Sequence, residues 1–473
     1  MRISRKLADC VSIVNFYKYT ENTPISFYDF DKKISNCFYK EENSFVLKTD
    51  EKLSNDNLKQ LNINGRIIQI NNNIKIEILD SRVKTTSFVE TEFVIDKFSS
   101  VGFRKDTSKY FKLIIHNHKR KQLRFDHIFE KLIYVSSENQ NTNLQGISFK
   151  LDKKEYYLYF SNIFLIIEGL IEDQFVEFDA NCRIILACFG LITGYSPMKY
   201  GFYFTYDNNK FLNVMDYIFV SNFIETYDSQ FKVIDTNTFK YVDKEKNHEE
   251  IQIQADKLRK NLNPISCDTF SKLCNMVKFD NKMADAVYLT LEANRSSLIS
   301  MGVIYCVVLE TLTNVICSQN IDNILPIQDK HKAKELCNKL NLTAQEYLLG
   351  NKIFHIEKDY LNSAIKKKID NINSPTNQDK LIKPFDILDI KIDEDDKKII
   401  NQRNDFLHGN SFNIGEDIER CSKEIFYTVL KLNFLVNALI LKFVGHTGKI
   451  VNLAKVYLPE FKKNDKEEYY RVI

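Results

Sequence analysis

The chain has 473 residues, 66 basic against 63 acidic side chains and a net charge of +3. Charge alone therefore marks neither a nucleic-acid nor a membrane binder, although a local patch stays open. At 44% hydrophobic and 27% charged the composition is that of a globular protein, not a disordered or fibrous one, and the length allows two or three domains. The opening MRISRKLADCVSIVNF has basic residues but no apolar core, so no signal peptide is expected. The apolar runs IILACFGLI (184–192) and SSLISMGVIYCVVL (296–309) are too short to span a bilayer and read as buried elements. Ten cysteines lie scattered without a CxxC, which reads as reduced core thiols in a cytoplasmic, bacterial protein. No Walker loop, GxGxxG, HExxH or GxSxG is found, so no cofactor or metal is expected.

Up to about residue 245 the dominant period is two. IKIEIL (74–79) alternates strictly, and FVETEFVIDKF, KYFKLIIHNH, KLIYVSS, ISFKL, YYLYF and KYGFYFTYD are short aromatic or β-branched runs between turn residues. This predicts an α+β protein whose N-terminal half, 1–245, is a β-rich sandwich or barrel-like region. DANCRIILACFGLITG (179–194) interrupts it as a buried helix stopped by Gly194. Connecting helices are expected over 246–282 and an all-α bundle over 283–454, clearest at 283–319, 393–408 and 415–445. The last of these opens on GED, an acidic first turn. Its Ile418, Cys421, Ile425, Thr428, Leu432, Leu435, Leu439 and Phe443 form one apolar stripe. KKKIDNINSPTNQDK (366–380) reads as a loop or insertion, and 455–473 as a charged, loosely held tail.

On a helix of about 100° per residue, Ile399, Ile400, Phe406 and Leu407 cluster in one arc. Arg403 falls at its centre. Asn404 and His408 stack four residues apart on its edge, Asp405 points away, and Gly409 is placed to stop the helix. A guanidinium in an apolar stripe must be paired or must face a functional cleft. Arginine can neutralise charge developing on phosphorus while a titratable histidine moves the proton. The same residues also admit a plainer role, in which Arg403 pairs with a buried carboxylate and His408 caps the helix.

Arg403-Asn404-Asp405-Phe406-Leu407-His408 matches the RNxxxH form of the R-x4-6-H motif of HEPN ribonucleases. The motif ends one helix, an earlier apolar helix (about 296–319) is available to pack on it, and a long helix follows Gly409. Over about residues 283–446 the chain resembles that superfamily. Its layout, a β-rich half followed by a helical unit, resembles the ApeA-like HEPN proteins of bacterial anti-phage defence. The resemblance implies a metal-independent endoribonuclease of an abortive-infection system. The RNA 2′-hydroxyl would attack the adjacent phosphate, leaving a 2′,3′-cyclic phosphate and a 5′-hydroxyl. It also implies a homodimer that brings two motifs into one cleft. Arg403 would hold the scissile phosphate, His408 would handle protons, and Asn404 would orient one of them. The N-terminal half would then sense a phage-derived trigger and control the activity. The alternative is a HEPN-like dimer that binds RNA or protein without cutting, or a β-domain binding protein whose helical half only dimerises.

Glu310 is the first charge after the apolar run 298–309. A buried carboxylate there would want Arg403 as its cation, unless the helix turns to solvent at that point. In HNHKRK (116–121), His116 and His118 share a strand face but lack a third metal ligand, so the functional reading is a basic patch with Arg120, Lys121 and Arg124. A solvated strand end is the plainer one. Cys267 and Cys274 read as core, and the aromatic ITGYSPMKYGFYFTYD (192–207) as packing around a loop.

Overall fold

The computed structural model describes residues 1–18, 23–27, 36–41, 44–49, 63–70, 74–86, 91–117, 123–137, 140–160, 163–197, 200–221, 226–234, 247–407, 418–457 and 468–473. It divides into two compact units, Met1–Asp280 and Asn281–Ile473.

In the first unit the described elements run β1 (Arg2–Arg5), α1 (Ala8–Lys18), β2 (Thr23–Phe27), β3 (Asn36–Glu41), β4 (Ser44–Thr49), β5 (Ile67–Ile70), β6 (Ile74–Thr86), β7 (Thr91–Ser100), β8 (Tyr110–His116) and α2 (Phe125–Ile128). There follow β9 (Ile133–Ser137), β10 (Gln140–Leu151), β11 (Lys154–Phe160), β12 (Phe164–Gly169), α3 (Phe175–Thr193), β13 (Tyr195–Ser196), β14 (Tyr200–Tyr206), β15 (Tyr217–Ser221), β16 (Tyr227–Asp228), α4 (His248–Arg259) and α5 (Cys267–Phe279). Fourteen strands form one sheet in the order β1-β9-β10-β11-β12-β8-β14-β15-β7-β4-β3-β2-β5-β6. All its pairs are antiparallel except β1 with β9. Because β6 also pairs with β7, strands β7, β4, β3, β2, β5 and β6 close into a ring, which removes their free edges. The first half of β7 bonds to β4 and its second half to β15, so this strand carries the sheet from the ring into the open wing.

The alternation seen in the sequence has two buried sides to serve. On one side α1 lays Tyr17 against Phe45, Phe98 and Phe202 at ring distances of 5.6, 5.0 and 5.6 Å. On the other, Phe178 of α3 stacks on Phe111 at 5.3 Å and meets Tyr203 edge-on at 6.1 Å. Helix α3 ends where Gly194 takes a left-handed φ of 71°, a conformation a Cβ would oppose. Helix α5 closes over β10 with Phe270 against Phe149 at 4.8 Å. The helices of 248–279 thus lie within the first unit.

One cluster in this unit escapes the period-two reading. Glu168 on β12 and Lys112 on β8 are register partners, both wholly buried, with Lys112 Nζ 3.1 Å from Glu168 Oε1. Arg5 Nε donates to Glu168 Oε2 at 2.9 Å and the Tyr159 hydroxyl to Oε1 at 2.7 Å. Burial pushes the Glu168 carboxyl up, but Lys112 and Arg5 outweigh it and hold the group below the usual carboxylate value.

The second unit runs α6 (Asn281–Ala293), α7 (Leu298–Gln319), α8 (Ile321–Ile324), α9 (Lys330–Gly350), α10 (Glu357–Leu361), α11 (Ala364–Asp370), α12 (Asn377–Ile387), α13 (Glu394–Asn401), α14 (Arg403–Leu407), α15 (Ile418–Phe443), β17 (Lys449–Val451), α16 (Leu453–Tyr457) and β18 (Tyr470–Val472). It is a helical bundle in which α7 packs on α6, α12, α14 and α15. Several expectations need correction here. The run 283–319 is two helices broken at 294–297, and 393–408 is α13 and α14 separated by a turn at Gln402. Residues 366–380 are not a loop, because α11 and the start of α12 occupy them, the latter begun by a Thr376–Asp379 capping box. Helix α15 buries more than one stripe: every residue from 427 to 441 is buried.

The apolar run 296–309 sits in a helix of 22 residues, long and apolar enough to cross a membrane, as is Cys421–Phe443. The latter's apolar window is 89% buried inside the bundle, which makes it a core helix. The tail is also corrected at its end. Strand β18 pairs with β17, and Arg471 Nη2 reaches Asp396 Oδ2 at 2.6 Å.

Candidate active site around Arg403

Helix α13 starts with a capping box in which Asp393 and Asp396 satisfy each other's backbone N–H. Asp396 is wholly buried and is cross-linked to two further elements. Lys431 Nζ of α15 lies 2.7 Å from its Oδ1, and Arg471 spans both its oxygens at 3.2 and 2.6 Å. Burial pushes this carboxyl up, but the hydrogen bond from Arg471 and the charges of Lys431 and Arg471 hold it below its usual value. Arg471 also lies over the Phe434 ring at 4.2 Å. The helix leading to the motif is therefore fixed by an ion triad at its first turn.

Beyond the turn at Gln402, α14 crosses α7 in the opposite direction. Phe406, buried, rests on Gly302: a Cβ on that glycine would stand 2.5 and 2.8 Å from Cε1 and Cδ1 of the ring. Only glycine admits this approach. Farther along α7, Arg403 Nε donates to Glu310 Oε1 at 2.8 Å. The arginine side chain is 12% exposed and the glutamate 40%. Glu310 is thus half-open at the bundle surface, not largely buried. The bond uses Nε alone, and among the described residues Nη1 and Nη2 have no hydrogen-bond partner. A carboxylate gripping Nε fixes the plane of the guanidinium and leaves its outer edge, two donors in a planar fork, for an anion.

Cys306, buried between them, has its thiol pushed up to about 12 by burial and by Glu310, against an opposing pull from Arg403. It stays a neutral thiol and an inert wall of the site. The side chains of Asn404 and Asp405 and residues 408–417, including His408, lie outside the described residues. Of the motif, the geometry therefore joins Arg403 and Phe406 to Glu310 and Gly302. The Gly302–Phe406 contact and the Asp396 triad were missed in the sequence. A lone glycine in a run of bulky apolar residues was the available signal for the first.

The other candidates separate from this site. His116 is buried on β8 against the Phe164 ring at 5.7 Å, so it does not form a solvated strand end. His118, Arg120 and Lys121 lie outside the described residues. Arg124 is exposed and grips Asp126 through two bonds of 3.1 and 2.9 Å. Cys274 is fully buried, whereas Cys267 is only half-buried, its thiol 3.4 Å from the Lys131 carbonyl. Among the described residues no group of three His, Cys, Asp or Glu side chains has the spacing of a metal site.

Fold and site together define a two-unit α+β protein, a closed-ring sheet followed by a helical bundle with an oriented arginine at its surface. Comparison with known proteins returns no matching family model, curated protein or solved structure.

Proposed function

We propose that this protein is a cytoplasmic, metal-independent endoribonuclease of the HEPN type, in which Arg403 binds the scissile phosphate, His408 transfers protons and Asn404 orients one of these groups. The observation that carries the reading is the Arg403–Glu310 pair. It holds the guanidinium by Nε and leaves both terminal nitrogens without a hydrogen-bond partner among the described residues. An arginine held in this way keeps its planar fork available to an anion such as a phosphate. Attack by the RNA 2′-hydroxyl breaks the P–O5′ bond, so one group must take a proton and another give one. Two chains sharing a cleft would supply both. The outer side of α7 exposes Ile299 and Val307, an apolar stripe suited to a second copy. The first unit, separately compact, would restrain the activity until a phage-derived trigger releases it, as an abortive-infection role requires.

The rival reading is a bundle that binds RNA or protein without cutting, with Arg403 and Glu310 as a structural pair. Purified wild type, Arg403→Ala and His408→Ala proteins separate the two when RNA cleavage, RNA binding and thermal unfolding are followed together. Cleavage by wild type, lowered at least about a thousandfold in either variant with unfolding unchanged, supports catalysis. Binding of RNA without cleavage by wild type selects the rival.

A further inference from the structure

The bundle carries an arm that it does not bury. Between residues 330 and 370, the span of α9, α10 and α11, only Ala333, Leu348 and Tyr360 are buried. The chain leaves and returns at one point, where the Asn373 side chain bonds both the N–H and the carbonyl of Ile327 at 2.7 and 3.0 Å. The three helices are tied to each other. The Tyr360 hydroxyl donates to Asn341, and Asn341 Nδ2 donates to Asp370 Oδ1 at 2.8 Å. The arm is thus a folded, protruding element and not a frayed loop.

Its surface is unlike that of a solvated helix pair. Leu342, Tyr347, Ile353, Ile356, Leu361 and Ile372 are each between 47% and 66% exposed, a concentration that marks an interaction surface. From Ile327 to Asn373 the arm holds nine lysines against six acidic residues, an excess of three positive charges that equals the chain's total of +3. The other residues together are therefore close to neutral, and the charge is local. On α9, Lys332, Leu336, Lys339, Thr343 and Tyr347 follow at helical spacing on one exposed face. Lysine and apolar groups therefore share it.

We infer that the arm is a docking surface for a protein segment that combines aliphatic side chains with an excess of carboxylates. Branched aliphatic groups favour a protein partner over a nucleic acid, whose bases stack on aromatic and guanidinium planes. A second copy of this chain is disfavoured, because a two-fold contact would set the lysine-rich surface against itself. An acidic, apolar partner satisfies both features. The inference does not depend on catalysis at Arg403.

The test is fluorescence anisotropy with the full-length protein and three labelled probes. These are an amphipathic helical peptide of leucine and glutamate, the same peptide with every glutamate replaced by lysine, and a single-stranded RNA of roughly the same length. The acidic peptide should bind at least about tenfold more tightly than its lysine counterpart, and roughly tenfold more weakly to an Ile353→Ser/Ile356→Ser variant of unchanged thermal stability. Lys367→Glu/Lys368→Glu should weaken it as well and reduce its salt dependence. Equal binding of the two peptides, or binding of neither, overturns the proposal. RNA binding that survives the serine variant but not the Lys→Glu variant makes the arm a nucleic-acid surface. Conversion of a dimer to a monomer by Ile353→Ser/Ile356→Ser, seen by sedimentation, assigns the surface to a second copy.

Discussion

Glu168 and Glu310 are both glutamates held by an arginine through Nε, at 2.9 and 2.8 Å, yet they do opposite things. Glu168 is sealed in the first unit, and Arg5, Lys112 and Tyr159 all converge on its two oxygens. Glu310 stands half-open at the surface of the second, meeting its arginine with one oxygen. A carboxylate surrounded by partners in a dry site serves to fix the strands that carry it. One that orients an arginine and stops there leaves that arginine able to meet something else. Pairing alone therefore does not distinguish a structural charge from a functional one; the openness of the carboxylate and the number of groups that converge on it do.

The sharpest way to break this contrast is to remove each carboxylate's charge. Glu168→Gln leaves two buried cations facing a neutral amide, and should cost about 3–5 kcal/mol of stability in denaturant unfolding. Glu310→Gln should cost less than about 1 kcal/mol, while lowering RNA cleavage by about tenfold or more, because the guanidinium loses its orientation. Equal stability losses would place both glutamates in the structural class.

A buried histidine gives a smaller effect that isolates the second unit. His446 is 5% exposed, its Nε2 has no hydrogen-bond partner among the described residues, and burial together with Lys442 lowers its pKa to about 4. The unfolded chain binds this proton at a pKa of about 6.5 and the folded chain does not. Stability is therefore complete above about pH 6.5 and falls as the pH drops towards 4, by at most about 3 kcal/mol. The depressed carboxyl of Asp396 loses its contribution only below about pH 4, so the two windows are separable. Unfolding midpoints against pH should show the upper loss in wild type and not in His446→Leu.

Gly302→Ala tests the seat of the motif. Its methyl would overlap the Phe406 ring, costing about 1–3 kcal/mol and lowering cleavage. Adding Phe406→Leu should recover part of both. If the single variant cleaves like wild type, the seat does not set the position of Arg403.

What could be read in advance follows from which residues carry periodic information. The strands of the first unit, the stop at Gly194 and the partnership of Arg403 with Glu310 are all written as local spacing or as an isolated charge in an apolar run. The ring closure by β6 and β7 depends on long-range pairing, which no window of sequence contains. Lys431, Asn433 and Asn437 lie outside the apolar stripe of α15, yet all three are buried. They are accommodated because Asp396 meets the first and a polar ladder joins the other two to Tyr305 and Asn294. Burial of polar groups depends on partners from other helices, so the apolar stripe alone understated how much of α15 is core. The tail was misread for the same reason, since Arg471 looks solvated until Asp396 is opposite it.

The central claim, that Arg403 and His408 form a metal-independent RNA-cleaving centre, is tested most directly by the ends of the products. Full-length protein incubated with RNA in excess EDTA should release fragments ending in a 2′,3′-cyclic phosphate and beginning with a 5′-hydroxyl, and His408→Ala should release none. Fragments with 5′-phosphates that appear only when magnesium is restored, or products unchanged by His408→Ala, would contradict it.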